Sequence, residues 1–190
     1  MEPKGFHHKE EPGFQNCGES NPGLHLLKLG RYSEALEYFD NVILANSDDF
    51  AGYGAKGMVL QRLGKHDEAI KFYDKAIQVK PDEVDLYVSK GAALANLGRN
   101  DEAIEYYDKA ISMRPDSFVI YWEKGAALSS LGKYDEALEC FSEVISLNPS
   151  YPAVYKSTGV LMQNLGKDNE AIQCFEKAIQ LQPDYANTYF

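Results

Sequence analysis

The sequence lacks any long apolar run and contains little cysteine. No stretch of about 18 consecutive apolar residues occurs, and the opening segment MEPKGFHHKEEPGFQ has neither the apolar centre nor the flanks of a secretory signal. The cysteines Cys17, Cys140 and Cys174 are an odd number without metal-type spacing, unlike a disulfide framework. These absences argue against membrane-spanning and disulfide-stapled classes, and we expect a soluble, cytoplasmic protein.

Basic residues are also scarce. The 190 residues include 19 Lys and Arg against 29 Asp and Glu, which gives a formal net charge of −10. Nucleic-acid binding draws its affinity from clustered Lys and Arg, so this balance argues against DNA or RNA as a partner. Apolar residues, in contrast, make up 44% of the chain. That share is enough to bury a core in one large domain or two small ones.

A sequence motif recurs five times with a period of 34 residues. It reads LGKYDEALECFSEVISLNP at 131–149. Two residue types recur in strict register: Gly30, Gly64, Gly98, Gly132 and Gly166, and Ala35, Ala69, Ala103, Ala137 and Ala171. The copies run over 16–49, 50–83, 84–117, 118–151 and 152–185, with the start of a sixth at 186–190. This period predicts one array of helical repeats over 16–190, preceded by a flexible tail over 1–15.

Each copy predicts two helices joined by a tight turn. In the fourth copy Gly132 ends the first helix, because glycine adopts the left-handed conformation without steric cost. The second helix is expected to begin at Asp135, whose side chain would cap free backbone N–H groups, and to end before Pro149. Counterparts of Asp135 in the other copies are Ser33, Asp67, Asp101 and Asn169. This placement explains the repeated Asp-Glu pairs better than a catalytic role does.

Glycine also recurs in the middle of the first helix of copies two to five, at Gly57, Gly91, Gly125 and Gly159. Glycine there costs about 1 kcal/mol relative to alanine, so we expect it to allow close approach of the two helices of a copy. One helix pair cannot bury both its faces, and consecutive pairs should therefore stack in an all-α solenoid with a continuous core. Cys140 and Cys174 hold equivalent sites in neighbouring copies, too far apart for a disulfide, and are expected to be half-buried space fillers.

The repeated pattern resembles a known family. The residues that carry the resemblance in the fourth copy are Tyr121, Gly125, Gly132, Tyr134, Ala137, Phe141 and Pro149. Over 16–185 they are similar to the tetratricopeptide repeat, with Tyr at the family's usual Trp site. The resemblance implies a right-handed superhelix whose first helices line a concave groove.

The chain departs from the family pattern in two places. Where Leu is frequent before the mid-helix glycine, this chain has Lys56, Lys90, Lys124 and Thr158. We expect each Lys to lay its stem on apolar surface and to keep its charge in water. The first copy, NCGESNPGLHLLKLG, is degenerate, and predicts a shortened helix with Pro22 in its opening turn, capped by Ser20 or Asn21.

The resemblance also implies which residues would face a partner. In the family the second, fifth, ninth, twelfth and thirteenth positions of each repeat line the groove. Ten of the residues at these positions are our candidates for partner binding: Met58, Arg62, Val88, Ala92, Asn96, Trp122, Ala126, Ser130, Lys156 and Asn164. Trp122, the only tryptophan, is the most attractive anchor. The alternative is that Trp122 merely fills space between repeats.

The function implied is a non-catalytic scaffold that binds a peptide or helix of a partner protein in the groove. The alternative is an assembly module that self-associates through its convex surface or through the apolar side of its last helix, around Ala178, Ile179 and Leu181. The Lys and Asn clamp with which some family members grip a chaperone's C-terminal carboxylate is not assembled, since Lys156 is followed at the ninth position by Val160.

Residues suited to other chemistry are few. The histidines are His7, His8, His25 and His66, and none recurs beside a nucleophile in the repeat pattern. A metal site from His7, His8, Glu10 and Glu11 would lie in a flexible tail that preorganises nothing. We therefore expect no enzyme activity, no cofactor, no metal, and neither a nucleic-acid nor a membrane partner.

Overall fold

A computed structural model describes residues 21–183, which form ten α-helices and no strand. The helices are α1 (Pro22–Lys28), α2 (Tyr32–Ala45), α3 (Phe50–Arg62), α4 (His66–Val79), α5 (Val84–Asn96), α6 (Asn100–Met113), α7 (Phe118–Ser130), α8 (Tyr134–Leu147), α9 (Pro152–Asn164) and α10 (Asp168–Leu181). They confirm the predicted helix pairs. The predicted tail at 1–15, Cys17, the Ser20 cap, the candidate metal residues and the start of a sixth repeat lie outside the described residues.

The first copy has the shortened helix that was predicted. Helix α1 has 7 residues, whereas α3 has 13. The Asn21 side chain accepts hydrogen bonds from the backbone N–H groups of Gly23 and Leu24, at 3.0 and 3.2 Å, and Pro22 follows directly. Proline is tolerated there because its missing N–H would have no helical partner in the first turn. The Asn21 cap is confirmed.

Every first helix ends in the predicted glycine turn. Gly132 has φ of 75°, in the left-handed region that other residues avoid. Its backbone N–H donates to the carbonyl of Ser129 at 3.0 Å, and that of Lys133 donates to the carbonyl of Leu128 at 3.0 Å. These two bonds satisfy carbonyls at the helix end and turn the chain back within two residues, which places the second helix antiparallel to the first.

The predicted start of the second helices was wrong by one residue. The prediction that the side chain of Asp135 caps the helix was also wrong. Helix α8 begins at Tyr134, after Lys133, and no side chain caps it. Because the glycine turn already fixes the chain through Lys133, Asp135 falls inside the first turn and interacts with the helix dipole instead. The Glu of the Asp-Glu pair has its own partner in the third copy, where Arg99 donates to both carboxylate oxygens of Glu102 at 2.6 and 2.7 Å.

The mid-helix glycines bring the two helices of each repeat together, as predicted. A Cβ atom added at Gly125 would lie 2.5 Å from Cε1 of Phe141, which is closer than atoms approach in proteins. Gly57, Gly91 and Gly159 face Tyr73, Tyr107 and Phe175 in the same way. Gly23 of the first copy also faces Phe39, a match that the degenerate sequence around it concealed. The aromatic ring of the second helix therefore occupies the space that a side chain would need.

The helices form two layers that curve toward the first helices. Within the described residues each second helix packs against the first helix of the next repeat, and the first helices also contact one another, α3 with α5 and α5 with α7. Neighbouring second helices approach one another less closely. A layer whose members crowd together lies on the inner side of a curve. The first helices therefore form the concave side.

The Lys90 charge is not in water, which corrects the sequence-based expectation at that position, whereas Lys56 and Lys124 are partly exposed and pair with exposed carboxylates. The Lys90 ammonium donates to the Asp74 carboxylate and to the Tyr106 hydroxyl, the latter at 2.6 Å, and only 9% of the Lys90 side chain is exposed. This position faces the second helix of the preceding repeat, where Asp recurs at the same period. Burial acts to lower the pKa of Lys90, but its two partners outweigh burial and raise it.

Candidate partner-binding groove

The ten candidate residues all lie on first helices, the inner layer of the fold. Four of them are exposed, namely Arg62, Asn96, Ser130 and Asn164. Five are partly buried, namely Met58, Ala92, Trp122, Ala126 and Lys156. Val88 is 1% exposed, inside the core formed by the middle repeats, and has no surface to offer a partner. Nine candidates therefore retain surface on the concave layer.

Trp122 both packs and remains partly exposed. Its ring lies 5.3 Å from the ring of Phe141 in its own repeat, and 5.3 Å from that of Tyr151, which it meets edge-on. Tyr151 immediately precedes α9 and also contacts Phe118, at 5.4 Å between ring centres. Trp122 thus belongs to an aromatic cluster at the boundary between the fourth and fifth repeats, and its role as a partner anchor stays a prediction.

An ion pair between a buried carboxylate and an exposed guanidinium lies at the second position of the third repeat. Asp85, in the first turn of α5, is 6% exposed and accepts a hydrogen bond from Nη1 of Arg114 at 2.9 Å. Burial raises the pKa of Asp85, and the nearby Arg114 guanidinium offsets only part of that rise. The carboxylate therefore neutralises Arg114 locally. It offers little surface of its own to a ligand.

Two tyrosines beneath the groove differ in their polar contacts. The Tyr73 hydroxyl donates to Oε1 of Gln61, a groove position of α3, at 2.9 Å. Tyr107 holds the equivalent place in the next repeat, where Ala95 replaces the glutamine. Its hydroxyl is buried and has no hydrogen-bond partner in the described part of the chain. Burial raises the pKa of Tyr107, so it stays neutral.

Sequence reasoning did not identify Tyr151, Phe118 or Arg114 as neighbours of the groove. Tyr151 and Phe118 lie outside the five positions taken from the family pattern. Arg114 follows the second helix of its repeat and also lies outside those five positions. A signal existed for the lysine contacts, because Asp40, Asp74 and Asp108 recur with the same period as the lysines, always 16 residues earlier.

Two thiols, Cys140 and Cys174, lie within the described residues. Cys140 and Cys174 are free, buried and partly buried respectively, and burial raises the pKa of both thiols. A thiol with a raised pKa is a poor nucleophile at neutral pH. Within residues 21–183, no three His, Cys, Asp or Glu side chains are grouped so that they could hold a metal ion. None of the described helices has the length and apolar content of a membrane span.

Comparison with known families decides the classification. A tetratricopeptide repeat model matches residues 23–83 and 55–118, a second tetratricopeptide repeat model matches 123–151, and a TPR repeat model matches 164–190. The chain belongs to the tetratricopeptide repeat family. The fold is the family's all-α solenoid, and the family comprises protein-interaction scaffolds. No curated protein sequence matches the chain significantly.

Solved structures of other TPR proteins share this fold. The crystal structure of MamA superposes with a TM-score of 0.80 at 22% identity, over 88% of this chain and 98% of that one. MamA from Desulfovibrio magneticus RS-1 has a TM-score of 0.80 at 20% identity, over 85% and 92%. YrrB, a TPR protein with an unusual peptide-binding site, has a TM-score of 0.73 at 24% identity, over 86% and 84%. At these identities the likeness concerns the fold alone.

Proposed function

We propose that this TPR protein binds an extended peptide or an amphipathic helix of another protein on the concave layer of α3, α5, α7 and α9. The observation that carries the proposal is that the repeated residues are buried between the helices, whereas the residues that vary between copies are exposed on the inner layer. Framework residues such as Gly125 and Phe141 repeat with little change and are buried, whereas Asn96, Ser130 and Asn164 vary between copies and remain exposed on the inner layer. Variable exposed positions on a fixed framework suit recognition of a partner.

The chemistry of the lining favours a protein ligand. Ala92 and Ala126 leave room for a backbone to approach, and the amides of Asn96 and Asn164 can both donate to and accept from peptide groups. Trp122 adds aromatic surface that is already fixed by packing, so little side-chain entropy would be lost on binding. YrrB, which has the same fold, is a peptide-binding TPR protein, and this supports the proposal at the level of architecture.

Site-specific cross-linking tests this proposal. A photo-reactive amino acid is placed at Asn96 or Asn164 on the inner layer, and at Ser146 on the outer layer as the matched exposed control. Partner proteins from a lysate should be captured from the inner positions and identified by mass spectrometry. Cross-links that form only from Ser146 would move the binding site to the convex side.

A second candidate function is self-association through the last described helix. Ile172 and Ile179 of α10 are 54% and 42% exposed, whereas Ile70, the equivalent of Ile172 in the second repeat, is 9% exposed beneath the neighbouring α5. Exposed apolar side chains on one helix face favour contact with another apolar surface. Sedimentation velocity across a wide concentration range tests this function. Association that Ile172→Glu abolishes would support it, and a strict monomer would exclude it.

A further inference from the structure

The boundary between the fourth and fifth repeats differs from the three earlier boundaries. Helix α9 packs against α8 much more sparsely than α3 packs against α2, α5 against α4, or α7 against α6. The helices within the fifth repeat show no such weakness, since α9 and α10 pack as closely as α3 and α4. The sparse packing is therefore confined to the boundary.

The Lys–Asp pair that crosses each of the three earlier boundaries is not repeated at the equivalent positions of this one. Lys56 pairs with Asp40, Lys90 with Asp74, and Lys124 with Asp108, the last at 2.6 Å. At the corresponding places of the fourth boundary stand Thr158 and Ser142, which carry no charge. The Thr158 hydroxyl is buried and has no hydrogen-bond partner in the described part of the chain. The boundary thus loses a salt bridge and leaves a buried polar atom unsatisfied.

Aromatic contacts join the segment between α8 and α9 to helix α7. Tyr151 contacts Trp122 and Phe118, with ring centres 5.3 and 5.4 Å apart. Such contacts contribute about 0.5–1.5 kcal/mol each and tolerate changes in ring angle, unlike a hydrogen-bonded ion pair. The connecting segment that carries Tyr151 is tied to α9, because the Tyr155 hydroxyl of α9 donates to the carbonyl of Pro149 at 2.9 Å.

We infer that the loop between α8 and α9 is a hinge, about which α9 and α10 swing as one rigid unit relative to the first four repeats. The loop itself is the pivot, the Trp122–Tyr151 contact opens and closes with the swing, and the absent Lys–Asp pair is what frees the motion. This inference holds whether or not a partner binds in the groove. For the groove it has one consequence: Lys156 and Asn164 change their distance from Trp122, so the width of the concave side varies at its C-terminal end.

Distances between spin labels test the hinge with a matched control. Nitroxides are attached to a ketone-bearing amino acid, so the native cysteines stay unchanged. One pair occupies Ser112 and Gln180, and the other occupies Leu44 and Ser112. These exposed positions are equivalent in their repeats. One pair joins the third repeat to the fifth, and the other joins the first repeat to the third. Only the pair 112/180 crosses the boundary between α8 and α9.

We expect the 112/180 distance distribution to be at least about twice as wide as the 44/112 distribution. The double variant Ser142→Asp/Thr158→Lys, which adds the missing ion pair, should narrow it to the width of the control. Equal widths in the wild-type chain would overturn the hinge, and this comparison stands even if the double variant fails to fold. A wide distribution that the added pair leaves unchanged would overturn the role given to the missing pair.

The sole tryptophan supplies a second readout. Opening of the hinge separates Trp122 from Tyr151 and increases the solvent access of the partly exposed indole ring. Acrylamide should therefore quench Trp122 fluorescence in the wild-type chain, and Ser142→Asp/Thr158→Lys should reduce the quenching constant by about half. A variant that is folded by circular dichroism but quenched as strongly as wild type would contradict the inference.

Discussion

Lys90, in the first helix of the third repeat, donates a hydrogen bond across the repeat boundary to the carboxylate of Asp74. Its ammonium also lies 4.2 Å from the centre of the Tyr106 ring. The pair joins two repeats and satisfies an almost buried charge. It therefore makes repeat stacking depend on Asp74, because removal of that carboxylate leaves the almost buried Lys90 ammonium without its countercharge.

Asp74→Asn should accordingly lower the free energy of unfolding by about 1–3 kcal/mol, since the buried ammonium loses its countercharge. The double variant Asp74→Asn/Lys90→Met should recover most of the loss, because an apolar side chain of similar length needs no partner. Urea denaturation followed by circular dichroism measures both. A double variant as unstable as the single one would show that packing, and not the buried charge, causes the loss.

Gly125 should not tolerate even alanine. Alanine favours a helix over glycine by about 1 kcal/mol, yet its Cβ would lie 2.5 Å from the Phe141 ring, and overpacking of that kind costs about 1–3 kcal/mol. We expect a net decrease in the thermal midpoint for Gly125→Ala and a larger decrease for Gly125→Leu. Ser130→Ala, at an exposed position of the same helix, is the control and should change the midpoint little. Unchanged midpoints for both Gly125 variants would show that the two helices are not in close contact there.

The two tyrosines beneath the groove should respond oppositely to loss of the hydroxyl. Tyr73→Phe removes a hydrogen bond to Gln61 and should cost about 0.5–1.5 kcal/mol. Tyr107→Phe removes a buried hydroxyl that has no partner in the described residues, and it should leave stability unchanged or raise it. Phe141 already holds the equivalent site in the fourth repeat. Chemical denaturation measures the free energy of unfolding of both variants. A larger loss of stability for Tyr107→Phe than for Tyr73→Phe would contradict this prediction.

Asp85 should make stability depend on pH in a defined direction. Its pKa is raised on folding, so its contribution to stability is complete below the ordinary aspartate pKa and is lost as pH rises through the raised value. Asp85→Asn should therefore be as stable as wild type at pH 7, or more stable, and should remove this part of the pH dependence.

Arg114→Gln leaves the Asp85 charge buried without its partner. It should cost about 1–3 kcal/mol at pH 7, and the cost should shrink as the pH falls toward protonation of Asp85. The double variant Asp85→Asn/Arg114→Gln is the control and should resemble Asp85→Asn. Melting curves between pH 4 and pH 8 provide the test, and a cost of Arg114→Gln that is independent of pH would contradict it.

The fold was predictable because its main determinants are local and repeated. The turn at Gly132 depends on one residue's backbone conformation, and the Gly125–Phe141 contact depends on a spacing that recurs in every copy. The helix starts were less predictable. Asp135 is a good capping residue, but the glycine turn had already decided where the helix begins.

The candidate site was only partly predictable, because groove exposure depends on how neighbouring repeats stack. Val88 occupies a groove position in the family pattern and is nevertheless buried by its surroundings in the core of the middle repeats. Trp122 contacts Tyr151 because the segment between α8 and α9 lies against α7. Such contacts depend on how the helices and their connecting segments pack, which the five groove positions of the family pattern do not specify.

The central claim is that a partner binds on the concave layer, and one matched pair of variants tests it most directly. Ser130 on α7 and Ser146 on α8 belong to the same repeat, are both exposed, and lie on opposite layers. Each is replaced by Arg, and titration calorimetry measures the affinity for the partner identified by cross-linking. We predict that Ser130→Arg weakens binding at least about tenfold, or roughly 1.4 kcal/mol, and that Ser146→Arg binds as wild type does. Undiminished affinity of a folded Ser130→Arg protein, together with weakened binding by Ser146→Arg, would contradict the account and place the binding site on the second helices.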